Sequence, residues 1–136
     1  MPQFRLHHVA VALRSIDPAL RLYREALSGE DLGGGQEPGR GDGGWRWHQV
    51  AYPGGGRVEL LEPRGDGFLT RFLDARGEGL HHVTFRTDDL RSAVSRLRER
   101  GYELVEVDLE DQRWREAFLR PSSAHGVLIQ LAEISD

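Results

Sequence analysis

The chain has 136 residues, of which 38% are hydrophobic, 29% are charged and none is cysteine. This length suits one compact domain with an ordinary core, while the lack of cysteine excludes disulfides, thiolate metal ligands and a cysteine nucleophile. A net charge of −4, scattered arginines and the absence of a long apolar run predict a cytoplasmic protein without a nucleic-acid or membrane partner.

The first half of the chain predicts strands around one amphipathic helix. Arg5–Leu13 is apolar and partly β-branched, as in a strand, and Asp17 and Pro18 are predicted to cap and begin a helix that ends at Gly29. Leu32–Gly44 is glycine-rich and predicts a flexible loop. It contains a formal dinucleotide fingerprint, which we reject because no helix follows it. The segments WRWHQVAY and RVELLE predict strands, and GFLTRFLDARG predicts a short helix.

The second half repeats this plan. LHHVTFRT predicts a strand, and DDLRSAVSRLRERG predicts a helix with Asp88 or Asp89 at its cap. Three further strands are predicted for YELVEVDL, REAFLRP and GVLIQLAE. We therefore expect one domain over residues 1–136, built from a module at about 4–63 and a second at about 78–134.

Histidine is concentrated at corresponding places in the two predicted modules. The chain has six histidines, and four of them lie in two copies of Leu-His-His-Val, at Leu6–Val9 and Leu80–Val83. Each copy is followed by a short apolar run. The repetition indicates two related first strands that contribute to one shared site.

Side chains alternate between the two faces of a strand. One predicted face carries aliphatic residues suited to packing under helices, whereas the other carries small or polar residues. The chemistry-bearing members of the polar face are His8, Glu59, His82 and Gln130. Nitrogen and oxygen donors without sulfur predict a site for one divalent Co, Mn, Zn, Ni or Fe ion. The first histidine of each doublet, His7 or His81, faces the other way and is a weaker ligand candidate.

Several segments in order carry a family resemblance, namely HHVAVAL, VELLEP, FLDARGEGLHHVTFRTDDLRSAVSRLRERGYELV and FLRPSSAHGVLIQLAE. Together they resemble the vicinal oxygen chelate superfamily, and within it methylmalonyl-CoA epimerases most closely. The resemblance implies an α+β fold of two βαβββ modules, which form a cupped mixed sheet around one metal with helices on the outer face. It places the ligands on the first and fourth strand of each module, at His8, Glu59, His82 and Gln130. Proteins of this fold commonly form homodimers.

Two positions depart from the family pattern. The last-strand ligand is usually a glutamate that also moves a proton, but here it is Gln130, whose amide can coordinate but is not a useful base. The resemblance aligns His48 with a catalytic carboxylate, and histidine is a competent base near neutral pH. Arg86 is a candidate to hold a substrate carboxylate.

The resemblance implies proton abstraction α to a thioester, with a small acyl-CoA as substrate and a metal that stabilises the enolate. A glyoxalase I-like lyase, in which a metal stabilises the enediolate formed from a hemithioacetal, remains an alternative. A non-catalytic small-molecule binding or resistance protein is a second alternative, because replacing the family glutamate with glutamine would preserve the cup while removing turnover. Extradiol dioxygenation ranks third, since Gln130 stands where that branch has its carboxylate.

Overall fold

The computed structural model describes residues 2–39 and 43–135. The strands are β1 (Phe4–Ala12), β2 (Glu30–Glu37), β3 (Trp45–Ala51), β4 (Arg57–Pro63), β5 (Gly79–Thr87), β6 (Val105–Asp108), β7 (Trp114–Leu119) and β8 (Ile129–Ile134). The helices are α1 (Ile16–Leu20, continued by a π-helical segment over Arg21–Ala26), α2 (Phe68–Arg76) and α3 (Leu90–Glu99), and Pro121–Ser123 forms a 3-10 turn. In these described ranges no helix has both the length and the apolar character needed to cross a membrane. The predicted α+β class and the paired βαβββ order are confirmed.

The chain forms two compact units, and each histidine doublet lies on the boundary between them. The central unit contains residues 8–81, and the terminal unit contains the described parts of residues 1–7 and 82–136. The boundary therefore falls between His7 and His8 within β1, and between His81 and His82 within β5. The predicted module boundaries follow the repeat instead, and they stay a prediction.

In the central unit the strands lie in the order β2-β3-β4-β1, with β4 parallel to β1 and antiparallel to β3. The register pairs Ala10 with Glu59. Because side chains alternate along a strand, His8 and Glu59 point to the same face, which we call the central site face. The opposite face is covered by α1, with a buried core of Leu13, Ile16, Leu20, Val50 and Leu60.

In the terminal unit the order is β5-β8-β7-β6, with β5 parallel to β8 and the other neighbours antiparallel. Thr84 pairs with Gln130, so His82, two residues before Thr84, shares their face. We call this face the terminal site face. The opposite face is covered by α3, with a buried core of Leu90, Ala93, Val94, Leu104, Ala117, Leu119 and Leu131.

The predicted short helix between the modules is confirmed as α2, and it packs on the central site face. Its buried residues Leu69 and Leu73 form one cluster with β1 and β4. The partners in this cluster are Ala10, Ala12 and Leu61, flanked by Trp45, Trp47 and Phe72. The small alanines allow the helix to approach the sheet, so the face beside His8 has an apolar wall.

The prediction of a loop at Leu32–Gly44 is wrong for its first half. Glu30–Glu37 forms β2 and pairs with β3, with Gly34 opposite His48 and Gly35 opposite Trp47. Backbone groups make these hydrogen bonds, so a strand does not need β-forming side chains when its neighbour supplies the pattern. A Cβ on Gly35 would lie 2.9 Å from the Trp47 ring, which explains why glycine fits there. Residues 40–42 of the predicted loop lie outside the described residues.

The structure confirms one of the two predicted helix N-caps. Ser15 occupies the N-cap of α1, and Asp17 lies in the first turn, so the prediction of Asp17 as the cap is wrong. An acidic residue in the first turn still stabilises a helix through its dipole. In α3 the prediction is confirmed, since Asp89 is the N-cap and accepts a hydrogen bond from the Ser92 amide at 3.1 Å.

Asp31 stabilises the β-bulge in β2 between Asp31 and Gly34. Its carboxylate accepts hydrogen bonds from the Gly33 amide at 2.7 Å and the Arg24 guanidinium at 2.9 Å, and it contacts His48 Nε2 at 2.7 Å. The Gly33 amide, then Arg24 and His48, lower the pKa of Asp31 from 3.8 to about 2. The ionised carboxylate therefore stabilises the β-bulge between Asp31 and Gly34.

Replacing this carboxylate should change the pH dependence of folding. Because the folded state lowers the pKa of Asp31, its contribution is complete above pH 4 and is lost as pH falls towards 2. We expect Asp31→Asn to be less stable than wild type at pH 7 and to approach wild type at pH 2.5, measured by urea denaturation. Asp66→Asn, at an exposed loop carboxylate, is the control. An equal destabilisation of Asp31→Asn at both pH values would contradict this account.

Candidate metal centre

The central site face brings a histidine and a glutamate together. His8 Nε2 lies 3.6 Å from Glu59 Oε1, with side-chain exposures of 1% and 15%. This separation exceeds a good hydrogen bond but suits two ligands that converge on one ion. Both residues stand on the strands predicted for them, β1 and β4.

The second oxygen of Glu59 is held by Gln49 of β3, which lies directly opposite it in the register. Gln49 Nε2 donates to Glu59 Oε2 at 2.8 Å, and Arg57 Nη1 donates to Gln49 Oε1 at 3.4 Å. The amide therefore orients the carboxylate and leaves Oε1 as the oxygen nearer to His8. Burial raises the pKa of Glu59, the Gln49 hydrogen bond acts in the opposite direction, and the negative charge of Glu37 raises it further.

Sequence reasoning missed Glu37. This residue ends β2 opposite Trp45, and Trp45 and Gln49 lie on the same face because they are four residues apart on β3. The Trp47 indole donates to Glu37 Oε1 at 3.3 Å, and the Glu37 side chain is exposed. The central site face thus carries an accessible carboxylate beside its buried one. The sequence did not indicate this position, because Glu37 can be paired with Trp45 only when the glycine-rich stretch is recognised as a strand.

His48 lies on the other face of β3. It pairs with Leu60, which belongs to the core under α1, and its Nε2 contacts Asp31 at 2.7 Å. Glu59 and Leu60 are adjacent on β4, so His48 and Glu59 point to opposite faces. This position does not favour the base role predicted for His48. The alternation within WRWHQVAY already placed His48 and Gln49 on different faces, but the sequence does not tell which of them faces Glu59.

The terminal site face carries the second pair of predicted ligands. His82 and Gln130 are 9% and 8% exposed, and Thr84 between them is fully buried. Thr84 Oγ1 donates to Gln130 Oε1 at 2.7 Å, and Gln130 Nε2 donates to Glu116 Oε1 at 3.0 Å. The glutamine amide is therefore fixed at both ends, which agrees with the requirement that a buried amide has partners.

The other predicted residues have structural partners. Arg86 follows Thr84 by two residues on the terminal site face, and its Nη2 donates to the Ile134 carbonyl at 2.9 Å. His81 packs against the rings of Phe68 and Phe72, with centroids 5.4 and 5.0 Å away. Burial, with a smaller contribution from the positive charge of Arg76, lowers the pKa of His81 to about 4.

The donor types on each site face are ones that a divalent transition metal accepts. The central site face offers an imidazole nitrogen and a carboxylate oxygen, and the terminal site face offers an imidazole and an amide oxygen. Such nitrogen and oxygen donors are the ligands that Zn²⁺, Mn²⁺, Co²⁺, Ni²⁺ and Fe²⁺ accept. The chain contains no cysteine, so softer thiolate chemistry is excluded.

Known proteins share this architecture and sequence pattern. A family model described as the glyoxalase/bleomycin resistance protein/dioxygenase superfamily matches residues 7–118. The ethylmalonyl-CoA/methylmalonyl-CoA epimerase of Cereibacter sphaeroides is 30% identical over 135 residues, which cover 96% of this chain and 98% of that protein. The methylmalonyl-CoA epimerase of Mycobacterium tuberculosis superposes with a TM-score of 0.82 at 31% identity, covering 96% of this chain and 88% of that one.

A variant of the Streptomyces coelicolor methylmalonyl-CoA epimerase, solved in complex with 2-nitronate-propionyl-CoA, matches with a TM-score of 0.79 at 26% identity. The match covers 97% of this chain and 98% of that one. The chain therefore belongs to the glyoxalase/bleomycin resistance protein/dioxygenase superfamily. Within this superfamily its similarity extends to methylmalonyl-CoA epimerases along nearly the whole chain.

Proposed function

We propose that this protein is a divalent-metal-dependent epimerase of the methylmalonyl-CoA type, in which the proton α to a CoA thioester is removed from one face and a proton is added to the opposite face of the enolate. The observation that carries the proposal is the pair of buried His8 and half-buried Glu59, with ligand atoms 3.6 Å apart. Its support from relatives is a 30% identical ethylmalonyl-CoA/methylmalonyl-CoA epimerase that aligns with 96% of this chain.

The proposed ligands come from both units: His8 and Glu59 from the central unit, and His82 and Gln130 from the terminal unit. When bound, the metal would supply Lewis-acid stabilisation of the charge that develops on the substrate oxygens.

We assign the proton-abstracting base to Glu37 instead of His48. A base must reach the substrate from the face that holds the proposed ligands, and Glu37 shares the face of Glu59 whereas His48 does not. Glu37 is exposed and oriented by the Trp47 indole, so it is both accessible and positioned. Gln130 acts only as an oxygen ligand in this proposal, because an amide cannot accept and release a proton near neutral pH.

Arg86 is proposed to bind the free carboxylate of the substrate. Its guanidinium presents donors in a planar fork that matches a carboxylate, and the Nη2 contact to the Ile134 carbonyl orients it on the terminal site face. A methylmalonyl group carries such a carboxylate next to its acidic α carbon. The same arginine would select against acyl groups that lack the second carboxylate.

A homodimer and a cytoplasmic location complete the proposal. Phe4 and Leu6 in the first strand are 40% and 58% exposed, which gives one apolar strand end that a second copy would cover.

The choice of base is tested by solvent deuterium exchange into the α position of methylmalonyl-CoA, with metal-loaded protein. We expect Glu37→Gln to slow exchange by about 100-fold or more, since a general base contributes at least that factor. The matched variant His48→Gln should exchange at a rate near wild type, because its side chain points to the other face. The reverse order of the two variants would contradict the assignment. Binding of methylmalonyl-CoA by wild type without exchange would favour the non-catalytic alternative over the epimerase.

The ligand set is tested by metal analysis of the two histidine doublets. We expect His8→Ala and His82→Ala each to weaken Co²⁺ binding by more than about 10-fold, as the loss of even supporting contacts costs this much. His7→Ala, the neighbour of His8 on the opposite face, should bind Co²⁺ as wild type does. Circular dichroism of each variant establishes that it is folded. Equal Co²⁺ affinity in all three variants would remove the proposed centre.

A further inference from the structure

Glu116 has no role in the proposed reaction, yet it contacts a proposed ligand. The β7–β8 register pairs Phe118 with Gln130 and Glu116 with Ala132, so Glu116 and Gln130 lie diagonally on the terminal site face. Glu116 Oε1 accepts two hydrogen bonds, from Gln130 Nε2 at 3.0 Å and from the Trp114 indole at 2.8 Å. The carboxylate therefore joins the ligand to the neighbouring strand.

This contact determines which end of the Gln130 amide faces Glu116 and which end faces Thr84. An ionised carboxylate only accepts hydrogen bonds, so the Gln130 nitrogen must face Glu116. The amide oxygen is then turned towards Thr84, whose hydroxyl donates to it at 2.7 Å. A carbonyl oxygen has two lone pairs, and one of them remains for a metal ion. Without Glu116, the Thr84 hydroxyl alone would not fix which end of the Gln130 amide faces it. A hydroxyl can donate to the amide oxygen or accept from the amide nitrogen.

The same contact explains why residue 130 is a glutamine. A glutamate there would place a carboxylate oxygen about 3 Å from the Glu116 carboxylate, where two acceptors would face each other and the hydrogen bond that fixes residue 130 would be lost. The central unit has the matching arrangement with the residue types exchanged, since the Gln49 amide on β3 donates to the Glu59 carboxylate on β4. Each unit thus combines one amide and one carboxylate on neighbouring strands.

We infer that Glu116 is a positioning residue of the proposed metal centre: it holds the Gln130 amide with its oxygen directed away from Glu116, and it makes glutamine the complementary residue at position 130. The inference rests on the proposed function, because it treats Gln130 as an oxygen ligand. It adds a partner that the ligand set alone does not identify.

A double-mutant cycle on Co²⁺ affinity tests this inference, with wild type, Glu116→Gln, Gln130→Glu and the double variant. We expect Glu116→Gln alone to weaken Co²⁺ binding by about 10-fold, because a glutamine at 116 can present either end of its amide to Gln130. With glutamate at position 130, the same Glu116→Gln change supplies the missing donor, so we expect the double variant to bind Co²⁺ more tightly than the sum of the two single changes predicts. This coupling between positions 116 and 130 is a readout that an independent structural role of Glu116 would not produce.

Two further variants serve as controls. Glu110→Gln makes the same change of charge at an exposed position of the terminal unit and should leave Co²⁺ affinity unchanged. Trp114→Phe removes one donor to Glu116 while keeping its charge, so a smaller loss of Co²⁺ affinity is expected. Urea denaturation of every variant separates weaker binding from weaker folding.

The outcomes distinguish the inference from the function on which it rests. Wild-type protein that binds no Co²⁺ would overturn the proposed centre, and the inference with it. Wild-type protein that binds Co²⁺, while Glu116→Gln changes Co²⁺ affinity by the same factor in both backgrounds, would overturn the inference alone.

Discussion

The parallel pairing of the first and fourth strand in each module is the constraint on which the candidate site depends. In the central unit it places Ala10 beside Glu59, and in the terminal unit it places Thr84 beside Gln130. A shift of one residue in either register would turn a whole set of side chains to the opposite face. The helices α1 and α3 fix both registers, because each buries an apolar core on the face away from the site.

The same registers explain which parts of the site could be predicted. Alternation along a strand depends on the sequence alone, so it could predict that His8 and Glu59 lie on the polar face of the central unit, and His82 and Gln130 on that of the terminal unit. Pairing between strands brings together residues that are distant in the sequence. The contact of Gln130 with Glu116 therefore could not be anticipated.

The errors have equally specific causes. Glycines at β2 gave a turn signal, although backbone hydrogen bonds to β3 make this segment a strand. The error concealed Glu37, which reaches the central site face only through that pairing. It also concealed the contact of His48 with Asp31 on the other face of β3.

In each unit, a hydrogen bond between an amide and a carboxylate on neighbouring strands orients a proposed ligand. A buried carboxylate or amide ligand must have its remaining polar atoms satisfied, or the cost of desolvation exceeds the gain from binding. Gln49 meets this need for Glu59, and Glu116 and Thr84 meet it for Gln130. Gln130 is thereby the complementary partner of its neighbour Glu116.

The most direct test of the central claim is anomalous diffraction at the cobalt edge from crystals grown with Co²⁺. The account predicts one cobalt peak per chain, roughly 2.1 Å from donor atoms of His8, Glu59, His82 and Gln130. A peak bound by residues of only one unit, or no peak at these four residues, would contradict it.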